Sequence, residues 1–155
     1  MIFVNKKDTA EFLHTMVNKA LAGAHARFLT SSLTVPERDR IIDEFRMNYF
    51  SCLISTNVLA RGIDVPAVDI VINYDIPVVS DCGYMEPDYP NYLHRVGRTG
   101  RFMTDGLALT FVEDEVEETQ MSKISKHWET EIAEIKSFEE FHKIYIQMRP
   151  AHSLV

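Results

Sequence analysis

The 155 residues suffice for one domain with a sizeable core, and a hydrophobic fraction of 46% with a charged fraction of 25% is ordinary for a globular protein. The net charge is -7, and the acidic residues are unevenly distributed. Residues 1–112 hold 11 Lys/Arg and 13 Asp/Glu, whereas residues 113–155 hold 5 Lys/Arg and 10 Asp/Glu. This distribution excludes a broadly basic surface and leaves only local clusters of arginines as binding sites for anions. No apolar run approaches the roughly 20 residues of a membrane helix, and no signal-peptide pattern opens the chain.

Buried strands are predicted wherever apolar residues run almost without interruption, at residues 1–4, 26–30, 50–55, 68–74 and 106–112. Apolar residues at helical spacing predict a helix beginning at Asp8 or Thr9, and a second one capped by Thr34. Because a strand opens the chain at once, we expect the sequence to be part of a longer one. Cys52 and Cys82 lack metal-site spacing and indicate a reducing compartment.

The C-terminal part of the chain predicts further helices. Residues 113–127 form an acidic amphipathic segment, and Ser137 begins a capping pattern for a last helix. Residues 132–135 fit an edge strand. We expect the domain to span residues 1–148, with a frayed tail at residues 149–155 that contains Pro150.

Strands that alternate with helices predict an α/β fold, with a mostly parallel sheet covered on both faces. Ligands of such sheets bind at the carboxyl ends of the strands. Residues 76–91 contain several turn formers and are predicted to be a solvated surface loop. The alternative is a contact for a protein partner that uses Tyr84, Met85 and Tyr89.

The densest cluster of chemistry-bearing residues is His-Arg-Val-Gly-Arg-Thr-Gly-Arg at residues 94–101. Guanidinium groups that converge on one point suit a polyphosphate, because each presents a planar fork of donors. A helical turn would bring Arg98 and Arg101 to one face. A second segment, Ser-Thr-Asn-Val-Leu-Ala-Arg-Gly-Ile-Asp at residues 55–64, follows a predicted strand end.

These two segments resemble signature motifs of DEAD-box RNA helicases, in the family's order and at a plausible distance. The second departs from the family pattern in having Asn57 where Asp is usual. The resemblance covers residues 1 to about 141 and implies the C-terminal RecA-like domain, a three-layer α/β/α sandwich. It is closest to the branch that acts in nuclear mRNA export.

For ATP, the resemblance implies that Arg98 and Arg101 contact the γ-phosphate, with Arg101 as the arginine finger. It also implies that Asp64 accepts from the ribose hydroxyls and that Gly62 lets the backbone approach the nucleotide. Ion pairs within the domain, or a helix cap at Asp64, are the alternatives. His94 is expected to couple this domain to its partner domain.

For RNA, the resemblance implies backbone contacts from Thr30, Arg38, Thr56 and Arg61. Arg38 matches the arginine of a Gln-x-x-Arg motif, but Val35 stands at the glutamine position. A surface ion pair of Arg38 with a neighbouring carboxylate is almost as plausible.

The chain has neither a phosphate-binding Gly-rich loop with Lys nor an Asp-Glu-Ala-Asp run. We therefore expect the N-terminal RecA-like domain, absent from this sequence, to hold ATP and Mg²⁺, and this part alone to be inactive. The implied partners are single-stranded or duplex RNA, that domain in cis, and a nuclear-pore-associated activator. We expect a monomer without membrane contact, in the cytoplasm or nucleus.

Two other functions remain open from the sequence. A catalytically silent docking module would keep these motifs as relics, although intact Arg98, Arg101 and Asp64 argue against this. A DNA helicase of the RecQ type also carries an arginine motif, but the residues of both motifs here favour the DEAD-box RNA helicases.

Overall fold

A computed structural model describes residues 1–21, 25–57, 65–81, 83–99 and 106–148. Its main sheet has five strands in the order β2-β3-β1-β4-β7, and every neighbouring pair runs parallel. The strands are β1 (Ile2–Phe3), β2 (Ala26–Leu29), β3 (Cys52–Ser55), β4 (Ile70–Asn73) and β7 (Leu107–Thr110). The first strand of the chain thus lies at the centre of the sheet, as the predicted parallel α/β architecture allows.

Within the described ranges, five helices accompany the sheet: α1 (Lys7–Ala20), α2 (Val35–Arg46), α3 (Tyr89–Val96), α4 (Glu115–His127) and α5 (Phe138–Met148). Successive residues of a strand point to opposite faces. Leu53 therefore packs in a core cluster with α2 residues such as Ile42, while its neighbour Ile54 packs with Ala10 of α1. The two faces of the sheet are covered by different helices, which gives three layers.

The helix predicted after Thr34 is confirmed. The backbone N–H and the hydroxyl of Thr34 both donate to the Glu37 carboxylate, at 2.8 and 2.7 Å. These hydrogen bonds lower the pKa of Glu37. The edge strand predicted at residues 132–135 is wrong, because residues 131–136 have no regular structure. Their side chains are mostly exposed, and among the described residues they belong to neither of the two sheets.

Residues 76–91 are not simply a loop. They contain an antiparallel hairpin of β5 (Val78–Asp81) and β6 (Tyr84–Pro87), with Gly83 at φ 87° in the turn, a conformation that glycine adopts without strain. Tyr84 and Met85 are 75% and 53% exposed, so a partner contact through them stays a prediction. Tyr89 instead stacks on His127, with ring centroids 4.0 Å apart.

The position of Leu53 in the core yields a prediction about stability. Leu53 is fully buried in the strand between β2 and β1, so Leu53→Ala should lower the free energy of unfolding by about 2–5 kcal/mol through lost contacts and a residual cavity. Urea unfolding followed by circular dichroism measures this loss. Leu21→Ala is the matched control, because Leu21 is 57% exposed and its truncation should change stability by at most ~0.5 kcal/mol. Equal midpoints for both variants would contradict this account of the core.

Candidate functional site

The carboxyl ends of the five parallel strands meet at one edge of the sheet. Their last residues stand side by side in register, in the order Leu29, Ser55, Phe3, Asn73 and Thr110. The segments that follow β1, β2, β3 and β4 carry amides, hydroxyls and a carboxylate. This edge is therefore where the predicted site residues of separate segments come together.

A buried arginine connects three of these strand ends. Arg95, in the last turn of α3, is only 2% exposed. One terminal nitrogen donates to the backbone carbonyl of Asp75 at 2.7 Å and, more weakly, to Oδ1 of Asn73 at 3.5 Å. The other donates to Oδ1 of Asn5 at 2.9 Å and to Oδ1 of Asn57 at 2.6 Å. A single guanidinium thus fixes α3 against the ends of β1, β3 and β4.

The environment of Arg95 is polar but uncharged at contact distance. Among the described residues, no carboxylate lies within 4.0 Å of its guanidinium, which sits 5.3 Å above the centre of the Phe3 ring. Its Nε is buried without a hydrogen-bond partner. Burial lowers the pKa of Arg95 to about 10, and the more distant carboxylates of Asp75 and Asp88 oppose this effect. The group therefore remains charged at pH 7.

The sequence analysis contains Arg95 in the first motif but does not predict its structural role. The available signal was the series of side-chain amides at the predicted strand ends: Asn5 after β1, Asn57 after β3 and Asn73 at the end of β4. Amide oxygens are natural acceptors for a group that can only donate.

Arg98 lies just beyond α3, which ends at Val96. The expectation that Arg98 and Arg101 share one helical face involves Arg101, which lies outside the described residues. The half-buried Arg98 is held through its backbone, since its N–H donates to the Arg95 carbonyl at 3.1 Å and its carbonyl accepts from Val68 at 3.0 Å. At Gly97 an added Cβ would lie 3.0 Å from the Leu93 carbonyl oxygen, so the tight turn favours glycine.

His94 also lies in the last turn of α3, but its side chain is exposed. It has no hydrogen bond or ion pair with any described residue. The adjacent Arg95 is buried while His94 is exposed, which is possible because successive helical residues lie on different sides of the helix. His94 is thus available to a group outside this domain.

The residues predicted to contact RNA gather at the ends of β2 and β3. Thr30 is fully buried and its hydroxyl bonds to that of Ser32 at 2.8 Å, so the exposed part of this turn is Ser31 and Ser32. Half-buried Thr56 directly follows β3, and its N–H donates to the carbonyl of Leu29 at 3.3 Å. The two threonines therefore belong to neighbouring strand ends.

Arg38 lies in the first part of α2, close in sequence to the Thr30 turn. The alternative of an ion pair with Glu37 or Asp39 is not found among the described residues, and Glu37 instead accepts hydrogen bonds from Thr34. The Nε of Arg38 is buried and has no hydrogen-bond partner there. The half-buried side chain is therefore not committed to a partner within the described parts of the domain.

Four predicted site residues, Arg61, Gly62, Asp64 and Arg101, lie outside the described residues. Within the described ranges, no group of three or more His, Cys, Asp or Glu side chains is arranged to hold a metal ion. Nor does any helix in those ranges combine the length and apolarity that crossing a bilayer requires.

Comparisons of the sequence and of the fold with known proteins point to the same family. Residues 1–103 match the helicase conserved C-terminal domain family. The ATP-dependent RNA helicase DBP5 of Candida glabrata is 49% identical over 114 residues, which are 74% of this chain and 22% of that protein. The chain spans about a quarter of the length of the curated relatives it matches.

Solved structures give the same result. The C-terminal domain of the DEAD-box protein Dbp5 is 39% identical with a TM-score of 0.83, over 94% of this chain and 80% of that one. S. cerevisiae Dbp5 bound to RNA and ADP BeF3 has the same identity and TM-score, over 95% of this chain and 37% of that one. A Dbp5 variant bound to Nup159, a Gle1 variant, IP6 and ADP is 35% identical with a TM-score of 0.81, over 95% of this chain and 37% of that one. The predicted three-layer RecA-like fold is confirmed.

The network around Arg95 predicts that its shape matters as well as its charge. Arg95→Lys keeps the charge but offers one nitrogen, which cannot contact Asn5, Asn57 and the Asp75 carbonyl together. We expect a loss of about 2 kcal/mol in the free energy of unfolding, since at least one acceptor is left unpaired. Arg40→Lys is the control, because the side chain of Arg40 is 73% exposed and its ion pair is a long one, 3.8 Å from Nε to the Glu44 carboxylate. This control should change the free energy of unfolding by at most ~0.5 kcal/mol. A loss no larger than that of the control, measured by urea unfolding, would show that the fork geometry is unimportant.

Proposed function

Because the chain belongs to the helicase conserved C-terminal domain family, in its DEAD-box branch, we propose that it is the C-terminal motor domain of an ATP-dependent RNA helicase. One observation carries the proposal. The Thr30 turn and Thr56 lie at the carboxyl ends of β2 and β3, with Arg38 in the helix that follows the turn. His94 and Arg98 lie at the end of α3, where the Arg98 backbone is held beside Val68, just before β4. One frame thus carries two separate groups of residues that can bind phosphates.

The ATP side of the site consists of Arg98 with Arg101, Gly62 and Asp64. Phosphoryl transfer is catalysed mainly by positioning and by neutralising the charge on the transferred group. An arginine suits this role because it stays charged and forms bidentate contacts with phosphate oxygens. In this proposal Arg98 binds the γ-phosphate and Arg101 is the arginine finger, while Asp64 accepts from the ribose hydroxyls beside Gly62. The two backbone hydrogen bonds that fix Arg98 support such a positioned role.

The RNA side consists of Thr56, the turn at Thr30, Arg38 and Arg61. Hydroxyls, backbone amides and arginines bind phosphates without reading sequence. Since the Thr30 hydroxyl is already bonded to Ser32, contact there would come from the backbone of the turn. The uncommitted guanidinium of Arg38 supports its assignment to a ligand outside the domain. The relative S. cerevisiae Dbp5 has been solved bound to RNA.

The other half of the composite site would come from the N-terminal RecA-like domain, which would hold ATP with Mg²⁺. Exposed His94 would contact that domain when ATP and RNA bring the two halves together, and closure would open a short duplex or remodel a ribonucleoprotein. We place the protein in nuclear mRNA export with a nuclear-pore-associated activator, because relatives have been solved with Gle1, IP6 and Nup159. We expect the helicase to act as a monomer.

The proposed roles of Arg98 and Arg101 predict how much ATP turnover is lost when either side chain is removed. In the full-length protein, Arg98→Ala and Arg101→Ala should each lower RNA-stimulated ATP turnover by about a hundredfold or more, because charge on the transferred phosphoryl group is no longer neutralised. Steady-state phosphate release with saturating RNA measures this. Arg40→Ala, on the exposed face of α2, should retain turnover within about twofold of wild type.

Two results would contradict the proposed function. Unchanged turnover in both arginine variants would favour the catalytically silent docking module. Equal stimulation of the wild-type protein by DNA and RNA would contradict the proposed RNA dependence.

Arg38 predicts a change in RNA affinity. Arg38→Ala should weaken RNA binding in the presence of a non-hydrolysable ATP analogue, and should reduce the slope of log affinity against log salt by about 1, because one phosphate contact is lost. The matched control is Arg40→Ala, two residues further along the same helix and near Glu44. Fluorescence anisotropy over a salt series measures both. Identical slopes for the two variants would remove Arg38 from the RNA interface.

A further inference from the structure

The turn that follows α3 carries Arg98. The N–H of Arg98 donates to the Arg95 carbonyl at 3.1 Å, and the N–H of Thr99 donates to the Val96 carbonyl at 3.1 Å. Each of these bonds spans three residues, which gives a tighter turn and a poorer hydrogen-bond geometry than in an α-helix. The backbone alone therefore holds Arg98 in a weakly bonded turn.

The side chain of Thr99 adds a second bond to one of these carbonyls. Its hydroxyl donates to the carbonyl oxygen of Val96 at 2.8 Å, which is shorter than the backbone bond to the same oxygen. Threonine hydroxyls commonly bond to a carbonyl three or four residues earlier. Here the bond closes a ring over residues 96–99, and Arg98 lies inside this ring. The Thr99 hydroxyl thus fixes the segment from which the Arg98 guanidinium extends.

The other side of the turn is fastened to the segment that leads into β4. Val68 and Thr99 form a parallel bridge, and the Val68 N–H donates to the Arg98 carbonyl at 3.0 Å. Thr99 is half-buried between this segment and the end of α3. The bond from Val68 comes from the backbone, whereas the bond from the Thr99 hydroxyl comes from a side chain. A substitution can therefore remove the hydroxyl bond alone.

The geometry assigns Thr99 an indirect role. A threonine hydroxyl has one proton, and this proton lies in the bond to Val96, so Thr99 does not donate to a phosphate. The group that reaches the ligand in the proposed function is the guanidinium of Arg98. Its placement matters, because a displacement of about 1 Å can lower a reaction rate by as much as about a hundredfold.

We propose that Thr99 is a positioning residue for ATP hydrolysis, whose hydroxyl holds the turn after α3 so that Arg98 meets the transferred phosphoryl group. This inference rests on the proposed function of Arg98. Thr99 touches neither ATP nor RNA in this role. Since the N-terminal domain would hold the nucleotide, losing the hydroxyl should affect the chemical step rather than ATP binding.

The test uses the full-length protein and measures ATP turnover with saturating RNA. Thr99→Val keeps the branched shape of the side chain but removes the hydroxyl, so kcat should fall about tenfold because Arg98 is less well placed. The KM for ATP should stay within about twofold of wild type, since an interaction made only in the transition state changes kcat and kcat/KM equally. Thr99→Ser keeps the hydroxyl bond and should retain kcat within about twofold of wild type.

The matched control is Thr119→Val on α4. The Thr119 hydroxyl donates to the Glu115 carbonyl at 2.9 Å, so this variant loses a bond of the same kind outside both motifs. Its kcat should stay within about twofold of wild type. The urea midpoints of Thr99→Val and Thr119→Val should be alike, because the Val96 carbonyl keeps the Thr99 N–H as a donor. A clearly lower midpoint for Thr99→Val would overturn the inference, since the hydroxyl would then stabilise the domain as a whole.

A double variant tests whether Thr99 acts through Arg98. In the Arg98→Ala background, Thr99→Val should lower the residual turnover by no more than about twofold, because the turn no longer carries a guanidinium to place. Single-turnover measurements at high enzyme concentration resolve these low rates. A loss as large as in the wild-type background would overturn the inference, because Thr99 would then act independently of Arg98.

The remaining outcomes also decide. A kcat of Thr99→Val within about twofold of wild type, or an equal loss in Thr99→Ser, would overturn the inference. The proposed function would still stand if Arg98→Ala loses turnover as expected. A raised KM for ATP with unchanged kcat would make Thr99 part of nucleotide binding and overturn its positioning role. Unchanged turnover in both Arg98→Ala and Arg101→Ala would overturn the proposed function and this inference with it.

Discussion

The carboxyl edge of the sheet depends on one buried cation. The guanidinium of Arg95 joins α3 to the segments that follow β1, β3 and β4. Burial disfavours the charged form of Arg95 and lowers its pKa to about 10. Hydrogen bonds from a charged donor are stronger than neutral ones and act against this cost. The arrangement is stable only while all the acceptors stay in place, which makes the edge rigid.

Helix α3 is held at both of its ends, and this explains how Arg95 and Arg98 are positioned. At its beginning, the N–H of Asp88 donates to the Pro77 carbonyl at 2.8 Å, which closes the base of the hairpin β5–β6. At its end, the Arg98 carbonyl accepts from Val68. The hairpin itself is fastened to α4, because Lys123 contacts Glu86 at 2.7 Å. The hairpin, which lies in a segment predicted to be a loop, therefore fixes where α3 begins.

The sequence predicts the regular parts of this protein well, for a physical reason. Strands such as residues 52–55 are apolar because both faces of the sheet are covered, and the Thr34 cap is local in sequence. The role of Arg95 could not be predicted in this way, since its acceptors lie 20 to 90 residues away. The hairpin was hidden by its composition: Gly83 and Pro87 favour turns, and its short strands pair with each other rather than with the main sheet. The strand expected at 132–135 failed because apolar residues alone do not supply an edge to pair with.

The order of strands has a consequence for synthesis and folding. Within this domain the central strand β1 is made before the other strands, yet its partners β3 and β4 come about fifty and seventy residues later. Until then the apolar residues Phe3 and Val4, both almost fully buried in the finished domain, have no sheet to join. Contacts between such distant parts of a chain form slowly and leave apolar surface exposed in the meantime. The segment that contains β1 therefore stays without one of its two partners until about half of the domain has been made.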